Sequence, residues 1–222
     1  RRSLLGLDVI APHAYAEFYT EGLFPQSMHY SAVAHGDDSL LTNVEDGSWH
    51  HLAAVYTGSF KQVFVDGHLE LVQAMPSGGP SGAVVGTLQF DQPEDALRML
   101  VGFGSNVESY ILPECEVTLD EVRVWNYGKD VGSIVEHMHK PLAGKEKGLV
   151  AYVPFNETWG PGTPVVINTP VAGESLYGLR FDGENTVSLP SDVLNFNATL
   201  TVEVWVRACN MSDGEILSKS GS

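Results

Sequence analysis

The sequence is poor in the residue patterns that mark redox, zinc-ribbon and nucleic-acid-binding proteins. Its 222 residues include two cysteines, Cys115 and Cys209, and no Cys-x-x-Cys pair, which excludes a zinc ribbon and a thioredoxin-like motif. Basic residues are few, because 12 lysines and arginines stand against 28 acidic side chains and give a formal net charge of −16. Since such a surface repels a polyanion, we predict that nucleic acid is not a partner.

Long apolar runs are also missing from the sequence. No stretch approaches the roughly 20 apolar residues of a membrane span, so we predict no membrane insertion. The chain opens with Arg1-Arg2-Ser3 and continues into strand-like sequence, so we expect the targeting signal of a secreted form to lie upstream. Hydrophobic residues still make up 43% of the chain, which is enough for the core of one large domain or two smaller units.

Short β-prone segments separated by turn residues dominate the sequence. Residues 49–56 and 60–69 form two such runs, and the second contains an Asp-Gly pair typical of tight hairpins. Residues 119–125 and 200–207 alternate between apolar and polar side chains. The 23 glycines and 12 prolines punctuate these runs, so we predict an all-β fold, a two-sheet antiparallel sandwich. Further strand candidates are residues 4–10, 14–19, 30–34, 97–103, 148–155, 177–181 and 186–189.

Side-chain periodicity predicts how one strand and one helix are oriented. Strict alternation from Leu119 onward places Leu119, Glu121, Arg123 and Trp125 on one strand face. Within residues 130–139, apolar side chains recur at the i, i+3, i+4 and i+7 positions of an amphipathic helix, and Pro141 ends the pattern. We therefore predict one short helix in an otherwise β-rich chain.

Four segments resemble the laminin-G-like and pentraxin-like families, which have the concanavalin A-like fold. They are WHHLAAVYTGSFKQVFVDGHL (49–69), LDEVRVWN (119–126), GLVAYVPFNE (148–157), and LRFDGENTVSLP (179–190) with the following TLTVEVWVRA (199–208). The resemblance implies a jelly-roll arrangement of the sheets and an extracellular location, secreted or at the cell surface. It further implies a non-catalytic module for adhesion or carbohydrate binding, with glycans as the ligand class.

The order of these motifs departs from the family pattern. The F-D-G opening precedes the W-H and V-D-G hairpin in the families, whereas here it comes last. Residues 1–147 therefore resemble the C-terminal two-thirds of a laminin-G-like sandwich, and residues 148–222 resemble its opening strands. Three interpretations stay open: a window on a tandem array, a circular permutant, or donation of residues 181–222 to a neighbouring copy. The last makes neighbouring copies the partners, and it leads to the alternative function of a structural repeat in an extracellular filament or surface coat.

The resemblance also implies one cofactor, Ca²⁺. Family members bind it through the aspartate of the F-D-G turn and the aspartate before the V-R-V strand, which match Asp182 and Asp120. Asn185 lies close to Asp182 in sequence and is a further candidate ligand. Because Ca²⁺ takes six to eight oxygens, backbone carbonyls and waters would complete the site. The alternative is structural: Asp182 shapes its turn, and Asp120 accepts hydrogen bonds at a strand end.

Catalytic patterns are missing from the sequence. Glycoside hydrolases with this fold carry carboxylates on one strand face in the pattern E-x-D-x-x-E. Glu114 and Glu116 share a face, but no third carboxylate follows at the required spacing. The Gly-x-Ser-x-Gly nucleophile motif is also absent. We therefore predict that the chain is not an enzyme.

Aromatic residues outside the strands are the candidate ligand-binding side chains. Trp159 lies in a loop-like segment and Tyr127 follows a strand, so both are candidates for stacking on a sugar. The tryptophans within strands, including Trp125 and Trp205, are predicted to pack in the core. The histidines lack metal-binding spacing and are predicted to lie at the surface or at the rim of the core.

Cysteines and sequons extend the extracellular interpretation. Cys115 precedes one predicted strand and Cys209 follows another, so a disulfide between them is expected in an oxidising compartment, with two buried thiols as the alternative. Three Asn-x-Ser/Thr sequons begin at Asn156, Asn197 and Asn210. They accept glycans only if the chain enters a secretory pathway.

Overall fold

A computed structural model describes residues 3–10, 13–18, 41–74, 97–99, 116–155, 179–181, 187–189, 199–209 and 214–220. The strands in these ranges pair in antiparallel fashion and are accompanied by one short helix, so the all-β prediction is confirmed. The described ranges contain no helix with the length and apolar character that crossing a bilayer requires.

The strands are β1 (Ser3–Ile10), β2 (His13–Phe18), β3 (Asp46–Tyr56), β4 (Phe60–Val65), β5 (His68–Ala74), β6 (Leu97–Met99), β7 (Glu116–Trp125), β8 (Leu149–Val153), β9 (Leu179–Phe181), β10 (Val187–Leu189), β11 (Leu200–Cys209) and β12 (Gly214–Ser220). The helix is α1 (Val131–His137).

The larger sheet has β11 near its centre. Its order is β5-β4-β3-β11-β7-β8, and β9 also pairs with β7. Val202 of β11 lies opposite Ala54 of β3 on one side and opposite Val124 of β7 on the other. In the smaller sheet, with the order β10-β6-β12-β1-β2, strand β12 lies between β6 and β1. Strands after residue 178 therefore complete both sheets, while the division of the chain into domains at residue 147 stays a prediction.

One face of the larger sheet is apolar. Successive side chains of a strand point to opposite faces, so every second residue contributes to this side. Its fully buried members include Leu52, Val124, Val202, Val204 and Val206. Burying one such side chain contributes roughly 1.5–3 kcal/mol to the stability of the fold. The buried side chains of this face therefore stabilise the larger sheet.

The other face of the sheet is covered by α1 and the residues around it. Asp130 caps the helix, since its carboxylate accepts a hydrogen bond from the Ser133 N–H at 2.8 Å. Ile134 is the buried residue of α1 and packs on Ala53, Val55 and Phe64. The predicted helix is present, but only part of its apolar stripe faces the sheet.

The β4–β5 hairpin turns at the predicted Asp-Gly pair. Asp66 has φ of 50° and Gly67 has φ of 78°, the positive values that a tight type I′ turn requires. A Cβ atom added to Gly67 would lie 2.7 Å from Cγ2 of Val135, so α1 lies directly against this turn. Glycine at this position therefore serves both the turn and the packing of the helix.

Candidate functional site

A β-bulge in β7 shapes the polar region between the larger sheet and α1. Glu203 of β11 lies opposite Arg123, and Trp205 lies opposite Asp120, so β7 has one residue more than β11 across this interval. Glu121 lies inside the bulge with φ of 53°, a conformation uncommon for a residue with a side chain. Bulges re-aim side chains, and this one brings Asp120 opposite Trp205.

The bulge makes the predicted alternation of β7 wrong in part. Leu119 lies opposite the fully buried Val206, on the apolar face, whereas Trp125 lies opposite Thr201 on the other face. The extra residue shifts the parity of the strand between these two positions. Leu119 therefore does not share a face with Arg123 and Trp125.

Arg123 is a buried cation that holds the end of α1. Its Nη2 donates to Glu121 Oε2 at 2.6 Å and to the Lys140 carbonyl at 2.9 Å, and its Nη1 donates to the His137 carbonyl at 2.8 Å. The Tyr152 hydroxyl donates to Glu121 Oε1 at 2.7 Å. The guanidinium thus adds charge-assisted hydrogen bonds to carbonyls at the C-terminal end of α1, where the His137 carbonyl also accepts the Lys140 N–H at 2.9 Å.

A second buried ion pair joins the segment after β7 to β11. Lys129 and Glu203 are both fully buried, and Lys129 Nζ lies 2.9 Å from Glu203 Oε1. Trp125 Nε1 donates to Glu203 Oε2 at 2.6 Å, and Lys129 Nζ lies 4.3 Å from the Trp125 ring centroid. The Thr201 hydroxyl accepts from the Lys129 N–H at 2.9 Å and donates to the Tyr127 carbonyl at 2.8 Å. Burial lowers the pKa of Lys129, while the Glu203 carboxylate acts in the opposite direction.

On the face of the larger sheet that α1 covers, the Trp205 ring lies between the rings of His51 and His139. Its Nε1 donates to the Met138 carbonyl at 2.9 Å, and its ring centroid lies 5.3 Å from that of His51 and 5.2 Å from that of His139. His51 is buried, so its prediction as a surface or rim residue is wrong. Burial, followed by nearby cations such as Arg123, lowers the pKa of His51 to about 3, and the ring is neutral at pH 7.

We call the side chains of Glu121, Arg123, Lys129, Glu203 and Trp205 the polar lock. Together they bind the backbone or the side chains of residues 129–140 to the sheet. Their carboxylates accept hydrogen bonds from cations and from an indole, and the two ion pairs lie out of water. The chemistry of the lock is therefore structural, because its charged groups already have partners within the chain.

Asp120 is the candidate functional carboxylate in the described residues. It is half-buried, and none of the ion pairs between described residues includes it. Burial, followed by the charge of neighbouring Glu121, raises the pKa of Asp120 to about 7, although the Glu121 N–H and Arg123 favour the ionised form. A bound cation would favour ionisation at this position.

The other two predicted calcium ligands, Asp182 and Asn185, lie outside the described residues. Phe181 lies opposite Val117, three positions before Asp120 in β7, which corresponds to about 10 Å along the strand. Coordination of one ion by Asp120 and Asp182 requires the chain to turn back over this distance. Among the described residues, no group of three or more His, Cys, Asp or Glu side chains is placed to hold a metal, so calcium binding stays a prediction.

Of the two candidate ligand-binding aromatics, the structure describes Tyr127. It is partly exposed, and its ring packs edge-on against Trp125 at 5.9 Å between centroids. Trp159 lies outside the described residues, as do the sequon asparagines Asn156, Asn197 and Asn210.

The structure describes one of the two cysteines of the predicted disulfide, Cys209. Cys209 lies opposite Glu116 in the sheet, and Glu116 is the residue that follows Cys115 in the chain. Cys115 lies outside the described residues, so the disulfide stays a prediction.

A histidine bridge fixes the end of the β3–β4–β5 hairpin. His50 Nδ1 lies 2.8 Å from Asp66 Oδ2, and His50 Nε2 lies 3.2 Å from Asp46 Oδ1. The second carboxylate oxygen of Asp66 accepts the His51 N–H at 2.8 Å. Burial opposes the charged imidazole, but the two carboxylates together raise the pKa of His50. The W-H and V-D-G motifs thus meet in one hydrogen-bonded unit.

The described residues combine an antiparallel scaffold, a buried polar lock and the half-buried carboxylate of Asp120, which no ion pair between described residues includes. Sequence reasoning missed the lock because Glu121, Arg123 and Glu203 look like members of ordinary polar strand faces, and Lys129 looks like an ordinary residue of a connecting segment. The pairing of Lys129 with Glu203 in particular joins residues 74 positions apart. No protein-family model, no curated protein and no solved structure matches this chain.

Proposed function

We propose that the chain is a non-catalytic adhesion or carbohydrate-binding module of an extracellular protein, stabilised by calcium. In this proposal its two sheets pack face to face as a laminin-G-like jelly-roll sandwich. The apolar face of the larger sheet supports that packing, because its buried valines and leucines need an opposing layer. The four motifs that resemble the laminin-G-like families support the location and the ligand class.

The position of Asp120 carries the calcium part of the proposal. Val122 lies opposite Val153, the last residue of β8, and Leu119 lies opposite Leu179, the first residue of β9, so β8 ends and β9 begins beside Asp120. Loops that leave a rigid sheet at one point are a common place for recognition. A cation bound there would favour the ionised form of Asp120 and would offset the adjacent negative charge of Glu121. Both effects would stabilise the bulge.

Thermal unfolding with and without calcium tests this part directly. Ca²⁺ in excess is expected to raise the Tm of the wild type above its value in EGTA, because a ligand bound at about 100 times its Kd adds about 2.7 kcal/mol. Asp120→Asn removes the charge and should abolish the increase. Glu136→Gln is the matched control, since it removes an exposed carboxylate elsewhere. A wild-type Tm that does not respond to Ca²⁺ contradicts the calcium proposal.

Carbohydrate recognition is tested separately on a glycan array. Binding that requires Ca²⁺ and is lost in Asp120→Asn supports a ligand site at the ends of β8 and β9. An array without signal, together with an unchanged Tm in Ca²⁺, leaves the structural alternative.

The structural alternative is a repeat unit of an extracellular filament or coat, assembled by strand sharing. It is favoured by the central position of β11, which separates β3 from β7. If a neighbouring copy supplied β11, the two edges of this strand would pair with β3 and β7 of the receiving copy and so link the two chains. The position pair Ala54 and Val202 offers a test, because these residues lie opposite each other. With the native cysteines replaced by serine, mixed Ala54→Cys and Val202→Cys chains should crosslink to each other only if β11 is exchanged.

A further inference from the structure

Strand β5 forms one end of the larger sheet. In the part of the chain that the structure describes, β5 pairs with β4 and with no other strand. The outer side of such a strand offers backbone N–H and C=O groups to an added strand. An extended peptide that pairs there gains main-chain hydrogen bonds for affinity and side-chain contacts for specificity.

Apolar side chains flank this edge on the α1 side of the sheet. Leu69 lies opposite Phe64, which packs on Ile134 of α1, and Val72 lies opposite Gln62 on the same side. A register shift at Glu70 places Leu69 and Val72 on one face although they are three residues apart. They are 48% and 55% exposed, and Phe60 of β4 is 45% exposed.

Helix α1 extends this apolar surface. Val135 contacts the turn at Gly67, and both Val135 and Val131 remain about half exposed. We call Phe60, Leu69, Val72, Val131 and Val135 the apolar edge. Exposed apolar side chains beside a strand edge that no described strand covers are typical of an interaction surface, whereas single ones are common anywhere.

The charge around the apolar edge indicates what binds there. Residues 41–74 contain four acidic side chains, Glu45, Asp46, Asp66 and Glu70, and one lysine, Lys61, which is buried. Asp130, the N-cap of α1, adds an exposed carboxylate, whereas Glu136 is paired with the exposed Lys140 at 3.1 Å. A second copy of the chain would bring another formal charge of −16, so like-charge repulsion disfavours it.

We propose that the apolar edge binds an extended segment of a partner protein in which apolar and basic residues alternate. The segment adds a strand to β5, its apolar side chains cover Leu69 and Val72, and its cations lie beside the acidic side chains of the hairpin and of α1. The inference rests on the proposed function in requiring a binding module, but it is independent of the calcium site.

A synthetic peptide of about nine residues, alternating valine with lysine or threonine, is the probe, since this is enough to pair along one strand. Fluorescence anisotropy should show binding to the full chain that weakens as salt increases. A peptide with glutamate in place of lysine should not bind. A peptide N-methylated along its pairing edge should not bind either, because it lacks the donors that pair with β5.

Protein variants locate the binding surface. Leu69→Thr with Val72→Thr keeps β propensity and adds no charge, and it should weaken peptide binding at least about tenfold, or about 1.4 kcal/mol. Ala143→Thr is the matched control, because Ala143 is exposed in the segment that packs near β8, at the opposite end of the sheet. Binding should be equal in Ca²⁺ and in EGTA, which separates this inference from failure of the calcium proposal.

Three results would overturn the inference. If the peptide bound the double threonine variant as tightly as the wild type, its binding would reflect general charge attraction to the acidic chain and not contact with Leu69 and Val72. A dimer in sedimentation that the double variant abolishes would show that a second copy occupies the edge. Loss of several degrees of Tm in the double variant, without any peptide binding, would show that the chain covers this surface itself.

Discussion

Lys129 and Glu203 form a fully buried ion pair, with Nζ and Oε1 separated by 2.9 Å and the two residues 74 positions apart in the chain. Glu203 belongs to the central strand β11, and Lys129 immediately precedes the N-cap of α1. The pair therefore ties the covering segment to the middle of the larger sheet. Its removal tests how far the fold depends on the polar lock.

Breaking this pair from one side should be strongly destabilising. In Glu203→Gln, the Lys129 ammonium stays buried without its counter-ion, and we expect a loss of about 3–5 kcal/mol in the free energy of unfolding. Urea denaturation measures the loss. Lys140→Met, which removes the exposed pair with Glu136, is the control and should cost about 0.2–1 kcal/mol. Similar losses in the free energy of unfolding in the two variants would show that breaking the buried pair costs no more than breaking an exposed one.

Arg123→Lys should loosen the end of α1. An ammonium group cannot reach Glu121 and the two carbonyls of His137 and Lys140 with the geometry of a guanidinium. We expect a loss of about 3 kcal/mol, from two charge-assisted hydrogen bonds, and faster amide exchange in residues 134–140. Arg207→Lys is the control, since Arg207 is exposed and donates to Gly47. Unchanged exchange near α1 would contradict this role of Arg123.

His51 should make the protein sensitive to acid. Its pKa is lowered to about 3 in the folded state, so the unfolded chain binds a proton that the folded chain does not between about pH 6.5 and 3. The free energy of unfolding is expected to fall as the pH drops through this window. His51→Leu should remove this slope, and it also removes two buried ring nitrogens that lack partners in the structure. Urea denaturation at pH 5 and pH 8 measures the effect. An equal change at both pH values would contradict the prediction.

Asp120 should act in the opposite direction. Its pKa of about 7 lies above the ordinary aspartate value of 3.8, so the folded state binds a proton that the unfolded state lacks between these values. Stability without calcium is expected to fall as the pH rises from about 4 to about 7 through this group. Asp120→Asn should therefore stabilise the protein at pH 8 in EGTA and change little at pH 4. A variant less stable than the wild type at pH 8 would show that the carboxylate already has a cationic partner.

His50 should add stability that is present in acid and lost in base. Its pKa is raised above 6.5 by Asp66 and Asp46, so its contribution is complete below that value and disappears as the pH rises through the folded-state pKa. His50→Gln should flatten the decrease in the free energy of unfolding on the alkaline side of pH 6.5. An unchanged profile would show that the bridge does not depend on the charge of His50.

Much of the local structure could be predicted from the sequence. Alternation placed β11 and most of β7, and the Asp-Gly pair placed the β4–β5 turn. The strand β12 was missed because its residues, GEILSKS, are polar at most positions and show little alternation. The bulge at Glu121 was missed because an inserted residue leaves no mark in composition. The position of Asp120 opposite Trp205 follows from this bulge, so it could not be predicted from the sequence.

The sequence by itself determined that this chain is β-rich, strongly acidic and turns at Asp66-Gly67, since these properties depend on neighbouring residues and on composition. Only the tertiary structure decided which charges are buried and which are exposed. Lys129 and Glu203 look like any other polar residues in the sequence, and they become a buried pair because β11 lies between β3 and β7. Burial of a charge depends on contacts made far along the chain, and local patterns do not record such contacts.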